Sequence, residues 1–170
     1  MVTTSPSAAP RRRLYDDQQR LRRDRSPWTR VQALLAPLQF LVFAVSLCLV
    51  LRYLHTGLGF REATLSVVVK TVVLYAIMVT GSLWERDVYG RYLFAPAFFW
   101  EDVVSMAVVA IHTAYLVGLV GGMLGPRGQM LLALLAYATY LVNAAQYLVK
   151  FSLARREREV PAAGHLEAAR

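Results

Sequence analysis

The chain has 170 residues, of which 56% are hydrophobic, and carries a formal net charge of +8 at pH 7. It is short for two domains and too apolar for an ordinary soluble domain, so we expect one small, all-α membrane domain. The positive charge does not indicate nucleic acid, because the arginines crowd the two ends beside apolar runs, where they suit anionic lipid headgroups. Cys48 is the one cysteine, which excludes an intrachain disulfide and offers no metal-ligand spacing.

The first 26 residues are rich in Ser, Pro, Arg and Asp. Such a segment buries too little apolar surface to offset its ordering entropy, so a flexible basic tail is expected over 1–26. Ser26 and Pro27 then mark a helix start, with the serine as N-cap and the proline in the first helical position. We expect a four-helix membrane domain over 27–153 and a polar tail over 154–170.

The first two predicted spans, 33–54 and 63–84, each carry a polar seam. In the first, polar side chains recur every seven residues on one stripe, which should face other helices because lipid cannot satisfy amides: Gln32, Gln39, Ser46 and Tyr53. In the second, Lys70 shares a helical face with Thr80 and Trp84. A polar loop is expected after it, over 85–91.

The third predicted span, 97–120, holds three ionisable residues in an apolar run: Glu101, Asp102 and His112. A charged group at a membrane helix centre costs at least about 2.5–3.5 kcal/mol, so such residues need a partner or a function. Gly121 and Gly122 should end this helix. His112 lies three turns, about 16 Å, beyond Glu101, near the depth of Lys70.

The fourth predicted span, 129–150, places Asn143, Gln146 and Lys150 on one face. It runs antiparallel to the third span, so these polar groups approach the membrane edge at which Glu101 and Asp102 enter.

The distribution of basic residues predicts the orientation. Eight Lys and Arg precede residue 31, two lie in 85–91 and five lie from Lys150 onward, against three (Arg52, Arg61 and Arg127) on the opposite side. The positive-inside bias therefore predicts that both termini face the cytoplasm.

This topology predicts one polar cluster on the cytoplasmic side, made of Gln39, Glu101, Asp102, Ser105, Asn143, Gln146 and Lys150. Simpler interpretations remain open. The two acids could complement a helix N-terminus with Lys150 as counter-ion, and His112, Asn143 and Gln146 could join helices by hydrogen bonds. Phe99 and Trp100 could form an interfacial belt or wall a site for a flat apolar ligand.

Several catalytic signatures are absent from the sequence: a phosphate-cradling glycine loop, CxxC, HExxH and a nucleophile elbow. What remains is an acid-lined, aromatic-rimmed pocket in the cytoplasmic half of the bilayer. The residues thus favour proton-transfer chemistry on, or binding of, a membrane-soluble planar molecule.

Several segments resemble the vinyl bacteriochlorophyllide hydratase family of phototrophic bacteria: PWTRVQALLAPLQF (27–40), LRYL (51–54), MVTGSLWE (78–85), YLFAPAFFWEDVVSM (92–106) and AIHTAYL (110–116). The resemblance spans roughly 27–150. It implies hydration of the C3-vinyl group of chlorophyllide a or a bacteriochlorophyllide to 1-hydroxyethyl in bacteriochlorophyll a synthesis. It further implies a multi-pass protein of the bacterial cytoplasmic or intracytoplasmic membrane and contacts with other enzymes of that synthesis. No cofactor is expected, because hydration moves no electrons and the substrate brings its own magnesium.

The residues suggest roles in such a reaction. We hypothesise that Glu101 is the general acid and that Asp102 holds the water or a counter-charge. His112 is a candidate ligand for the substrate's magnesium, although magnesium prefers oxygen; no metal site of the protein's own is expected. The predicted substrate-binding set is Gln39, Phe99, Trp100, Ser105, His112, Asn143, Gln146 and Lys150. Two alternatives are a non-catalytic tetrapyrrole carrier or assembly factor and a small proton or ion conductor.

Overall fold

The computed structural model describes residues 14–159, with side chains described over 14–153. This part of the chain is all-helical and contains five helices: α1 (Asp17–Arg25), α2 (Pro27–Thr56), α3 (Phe60–Tyr89), α4 (Phe99–Val120) and α5 (Pro126–Glu159). Four of them, α2 to α5, are long and apolar enough to cross a membrane. Many of their leucines and valines point outward, which suits contact with lipid.

The N-terminal segment is partly ordered, unlike the flexible tail expected over 1–26. Asp16 caps α1 in a capping box, with its side chain accepting from the Gln19 N–H at 2.7 Å and the Gln19 side chain reaching back. Tyr15 stacks on Tyr89 of α3 with ring centroids 6.0 Å apart. Composition missed this helix because its order comes from the cap and from packing against α3; residues 1–13 lie outside the described part.

α2 begins at Pro27, as the Ser-Pro pair predicts, and ends at Thr56, with Gly57 as its C-cap. The serine does not cap the helix with its side chain; its hydroxyl instead donates to Asp87 of α3 at 2.7 Å. Gly57 takes a left-handed conformation, with φ of 74°, and its N–H donates to the Tyr53 carbonyl. The glycines thus make the predicted turn between α2 and α3.

α3 runs five residues beyond the predicted span and ends at Tyr89, so the expected polar loop over 85–91 is mostly helix. Glu85 and Val88 are buried on it, and Gly90 caps it in a left-handed conformation. The helix continues past its apolar stretch because these turns still pack inward. The predicted span 97–120 differs from α4 only at its start. The spans 33–54 and 129–150 lie inside α2 and α5, which extend beyond them at both ends.

The bundle is built from two helical hairpins, because α2 packs most extensively on α3 and α4 on α5. The core between them is centred on Phe43, Val67, Val108 and Tyr137. Phe43 makes an edge contact with Tyr137 at 5.4 Å and lies 5.0 Å from Tyr140. We call the end of the bundle where α2 starts and α3 ends the terminal end.

Candidate functional site

A cavity of about 860 Å³ lies at the terminal end, between the two hairpins. Its walls come from the first half of α2, the last part of α3, the first turns of α4 and the second half of α5, and Tyr15 and Arg23 border it from the N-terminal side. The volume is near the upper end of the roughly 300–1,000 Å³ typical of small-molecule sites. Most of the lining is apolar, which suits a large hydrophobic ligand.

Two carboxyl groups line this cavity, Glu85 of α3 and Asp102 of α4, and they lie beside each other because the consecutive N–H groups of Phe94 and Ala95 bind one each. We call them the carboxyl pair. Two neighbouring carboxyl groups in an apolar cavity favour a state in which one of them carries a proton, because two negative charges would repel each other. The pair can therefore both give and accept a proton.

The loop before α4 holds the carboxyl pair in place. The N–H of Phe94 donates to Asp102 Oδ2 at 2.7 Å, and the next N–H, of Ala95, donates to Glu85 Oε2 at 3.2 Å. Phe94 adopts a φ of 59°, in the left-handed region that non-glycine residues rarely enter. Consecutive backbone donors thus clamp both acids at the expense of local strain.

Neutral polar groups complete the polar part of the lining. Ser105 and Asn143 hydrogen-bond each other, with Asn143 Nδ2 3.0 Å from the serine oxygen, and the Tyr147 hydroxyl lies 3.4 Å from Asp102 Oδ1. Gln39 lines the cavity and is only 2% exposed, yet neither amide atom has a hydrogen-bond partner within the described part of the chain. The cavity therefore presents donors and acceptors next to the carboxyl pair.

Aromatic rings form one wall of the cavity. Phe98 and Trp84 line it with centroids 5.7 Å apart in an edge contact, and Tyr89 meets Phe98 at 5.8 Å behind them. Flat rings of this kind suit a flat, conjugated ligand.

Beside the cavity, Glu101 forms an ion pair with Lys150, with Oε2 and Nζ 2.5 Å apart. Lys150 also donates to the Ala97 carbonyl and lies over the Phe98 ring. Glu101 is not among the residues that line the cavity. Its pairing matches the counter-ion arrangement that the sequence left open.

A second polar group lies deeper in the bundle, where Lys70 Nζ is 2.8 Å from His112 Nε2 and both residues are fully buried. The other ring nitrogen of His112 lies 2.8 Å from the Val108 carbonyl, to which it can donate. Tyr140, whose ring lies 4.1 Å from Nζ, lines the cavity, whereas neither Lys70 nor His112 does. Among residues with described side chains, no group of three or more His, Cys, Asp or Glu is placed to hold a metal ion.

Comparison with known proteins decides the family. A family model described as 2-vinyl bacteriochlorophyllide hydratase matches residues 15–153. This chain belongs to that family. It is 61% identical over 160 residues to the 2-vinyl bacteriochlorophyllide hydratase of Cereibacter sphaeroides, covering 94% of this chain and 98% of the relative. It is 55% identical over 165 residues to that of Rhodobacter capsulatus, covering 97% and 96%.

No solved structure matches the chain. The family relationship makes the protein an enzyme, a hydro-lyase of bacteriochlorophyll synthesis, and its four apolar helices make it a multi-pass membrane protein.

The structure of this hydratase brings together four of the predicted site residues in the cavity lining: Gln39, Asp102, Ser105 and Asn143. Glu101 and Lys150 pair just outside the lining, and Gln146 does not line it. His112 lies deeper, against Lys70.

The two predicted aromatic contacts of the hydratase face away from the cavity lining. Phe99 is 44% exposed and Trp100 is 70% exposed, which fits the interfacial belt that was the alternative. The neighbouring Phe98, fully buried, lines the cavity instead. Phe98 is the N-cap residue just before α4, and its direction is set by the loop rather than by the helical period.

Sequence reasoning missed Glu85, Trp84 and Tyr147 as parts of the lining. Trp84 was recognised as the last residue of the polar seam of α3. Extending that helical period by one more turn would have brought Glu85 and Val88 into the helix, which was the available signal.

Proposed function

We propose that this hydratase adds water across the C3-vinyl group of chlorophyllide a or a bacteriochlorophyllide in the terminal-end cavity, giving a 1-hydroxyethyl group. The carboxyl pair in an apolar, aromatic-walled cavity is the observation that supports a catalytic site there. The relatives' names supply the reaction: both are 2-vinyl bacteriochlorophyllide hydratases.

The chemistry needs one proton donor and one water. The vinyl π electrons take a proton at the terminal carbon, which becomes a methyl group, and the inner carbon becomes a cation stabilised by the conjugated macrocycle. Water oxygen then bonds to that carbon and gives its extra proton to the carboxylate just formed. The acid is thereby regenerated, the sum is substrate plus water, and no electrons are transferred, so we propose no redox cofactor.

We assign the proton donor to the carboxyl pair, with Asp102 as the donor and Glu85 as the neighbouring acid. Asp102 lines the cavity and receives the Phe94 N–H and the Tyr147 hydroxyl, so one group is both exposed to the ligand and held in orientation. Ser105 and Asn143, on the same cavity wall, are suited to orient the attacking water. Glu101, the donor expected from sequence alone, is engaged with Lys150 and remains the competing assignment.

Site-directed variants test this assignment. Membranes with Asp102→Asn or Glu85→Gln should hydrate chlorophyllide a roughly 10²–10⁴-fold more slowly than wild type, the usual size of a general acid's contribution. Glu62→Gln, an exposed acid at the other end of α3, is the matched control and should retain activity. Products are followed by chromatography and mass.

The comparison with Glu101→Gln separates the two assignments. If Glu101→Gln abolishes turnover while Asp102→Asn and Glu85→Gln keep it, the donor is Glu101 and the carboxyl pair is not the acid. If wild-type membranes bind the pigment and leave its vinyl group intact, the chain is a pigment carrier.

We also propose that both ends of the described chain face the cytoplasm, in the cytoplasmic or intracytoplasmic membrane. Four spans place these ends on one side, and the clustering of Lys and Arg there supports the cytoplasmic side. The cavity would then take substrate from, and pass product to, other enzymes of bacteriochlorophyll synthesis on that side. A reporter that works only in the cytoplasm should be active when fused after α5. Activity of a reporter that works only in the periplasm would show that the orientation is the opposite one.

A further inference from the structure

Gln39 is a buried amide without the partner that such a group requires. Buried polar atoms in native proteins are nearly always hydrogen-bonded, and an exception calls for an explanation such as a ligand. Here both Nε2 and Oε1 lack a partner within the described part of the chain, while the side chain is 2% exposed and lines the cavity. Helix α2 thus holds an amide ready for a polar group that the ligand brings.

Most of the other polar side chains that line the cavity already make hydrogen bonds. The carboxyl pair receives two backbone N–H groups, Ser105 and Asn143 bond each other, and Gln32 donates to the Ile77 carbonyl at 3.2 Å and to Thr80 at 2.7 Å. No histidine is among the residues that line the cavity in the described part of the chain. Gln39 is therefore the polar side chain most available to a new partner.

The proposed substrate carries a magnesium ion at its centre, and this ion can bind an oxygen ligand from the protein. Its magnesium is held in the macrocycle plane by four ring nitrogens, which leaves positions above and below the plane open. Magnesium is a hard cation that prefers oxygen, and amide oxygens are among its protein ligands. Most backbone carbonyls of α2 accept hydrogen bonds within the helix, whereas Gln39 Oε1 has no partner within the described part of the chain.

We propose that Gln39 Oε1 is the axial ligand of the substrate's central magnesium. This assignment rests on the proposed function, since it takes a magnesium tetrapyrrole as the occupant of the cavity. The bond fixes the macrocycle against α2, while the carboxyl pair acts from α3 and α4. Gln39 is then a positioning residue: it holds the ring so that one edge stays within reach of the acids, and it takes no part in proton transfer.

His112 does not compete for this role. Its Nε2 faces Lys70, its Nδ1 faces the Val108 carbonyl, and it is not among the residues that line the cavity. Both ring nitrogens are thus in use, and the histidine is fully buried.

The test compares two pigments that differ only at the centre: chlorophyllide a and its metal-free counterpart, in which two protons replace magnesium. Binding to the purified full-length protein in detergent is measured by pigment-dependent quenching of tryptophan fluorescence. Gln39→Leu should bind the magnesium pigment about tenfold more weakly than wild type and the metal-free pigment equally well. Gln39→His should keep the preference for magnesium, because imidazole nitrogen can replace the amide oxygen.

A matched control is Gln129→Leu, which removes another buried glutamine that donates to the Tyr115 carbonyl and does not line the cavity. It should leave the ratio of the two affinities unchanged. Gln39→Met serves as a second variant of similar length and should give the same result as Gln39→Leu, since replacing an unpartnered amide by an apolar side chain does not break a bond.

The outcomes separate this inference from the proposed function, because binding and turnover are measured on the same preparation. If Gln39→Leu loses affinity for the magnesium pigment alone, Gln39 is supported as the axial ligand, even if wild type leaves the vinyl group intact. If Gln39→Leu loses affinity for both pigments equally, or for neither, the axial-ligand assignment is overturned, even if wild type hydrates chlorophyllide. Wild-type protein that binds both pigments equally well also overturns it.

Discussion

Lys70 and His112 form a buried pair in the middle of the bundle, and neither residue lines the cavity. Nζ lies 2.8 Å from the histidine Nε2, both side chains are fully buried, and the lysine also contacts the Tyr140 ring. A buried polar group is costly to leave unpaired, whereas replacing both partners by apolar groups of similar shape can be nearly neutral. A single substitution in the pair is therefore expected to destabilise the protein, whereas replacing both residues should change its stability little.

We expect His112→Leu to lower the free energy of unfolding by about 1–3 kcal/mol, because the lysine loses its hydrogen-bond acceptor. The double variant Lys70→Met with His112→Leu should recover most of that loss. Thermal unfolding in detergent measures both, and the wild-type preference for magnesium pigment should persist in each. A single variant that melts like wild type, or a double variant less stable than the single, would contradict this role.

At the scale of elements, the loop between α3 and α4 joins the two hairpins and holds the carboxyl pair. Its two consecutive N–H groups reach acids on different helices, one on each hairpin. The left-handed conformation of Phe94 orients the first of these donors. Since the contact is made by the backbone, the side chain at this position affects the site mainly through the conformations it allows.

Substitutions at Phe94 test this clamp. Phe94→Gly should keep activity, because glycine adopts a left-handed conformation without strain. Relief of that strain should stabilise the loop by about 1 kcal/mol, and the loss of the ring contact with Phe99 should offset this gain. Phe94→Val should lose at least tenfold in turnover with a smaller change in binding, because a β-branched residue disfavours this conformation. Hydration rates and pigment affinities measured side by side give the answer. Equal turnover by the valine and glycine variants would show that the backbone conformation is unimportant.

Sequence patterns predicted the helices better than they predicted the site. Apolar runs and glycine turns located all four spans, and the seven-residue spacing brought Gln39 to an inward face. The carboxyl pair was only half predicted, because the contact of Glu85 with Asp102 depends on where α3 ends and how the two hairpins meet. Likewise, Phe98 precedes α4 as its N-cap residue, so its inward direction depends on the loop conformation before the helix, which helical periodicity does not predict.

For the whole molecule, the arrangement is a membrane bundle that is closely packed around the Lys70 pair and open at the terminal end. The packed part provides stability, and the open part provides an apolar cavity of about 860 Å³ with two acids. An apolar cavity of this kind suits the hydrophobic substrate that we propose for it.

The most direct measurement is the mass of the pigment recovered after membranes containing this protein are incubated with chlorophyllide a in water enriched in ¹⁸O. We predict a product heavier than the substrate by one labelled water, with the label in a 1-hydroxyethyl group. Pigment that is bound by the membranes and recovered with its vinyl group intact and no label would contradict the account.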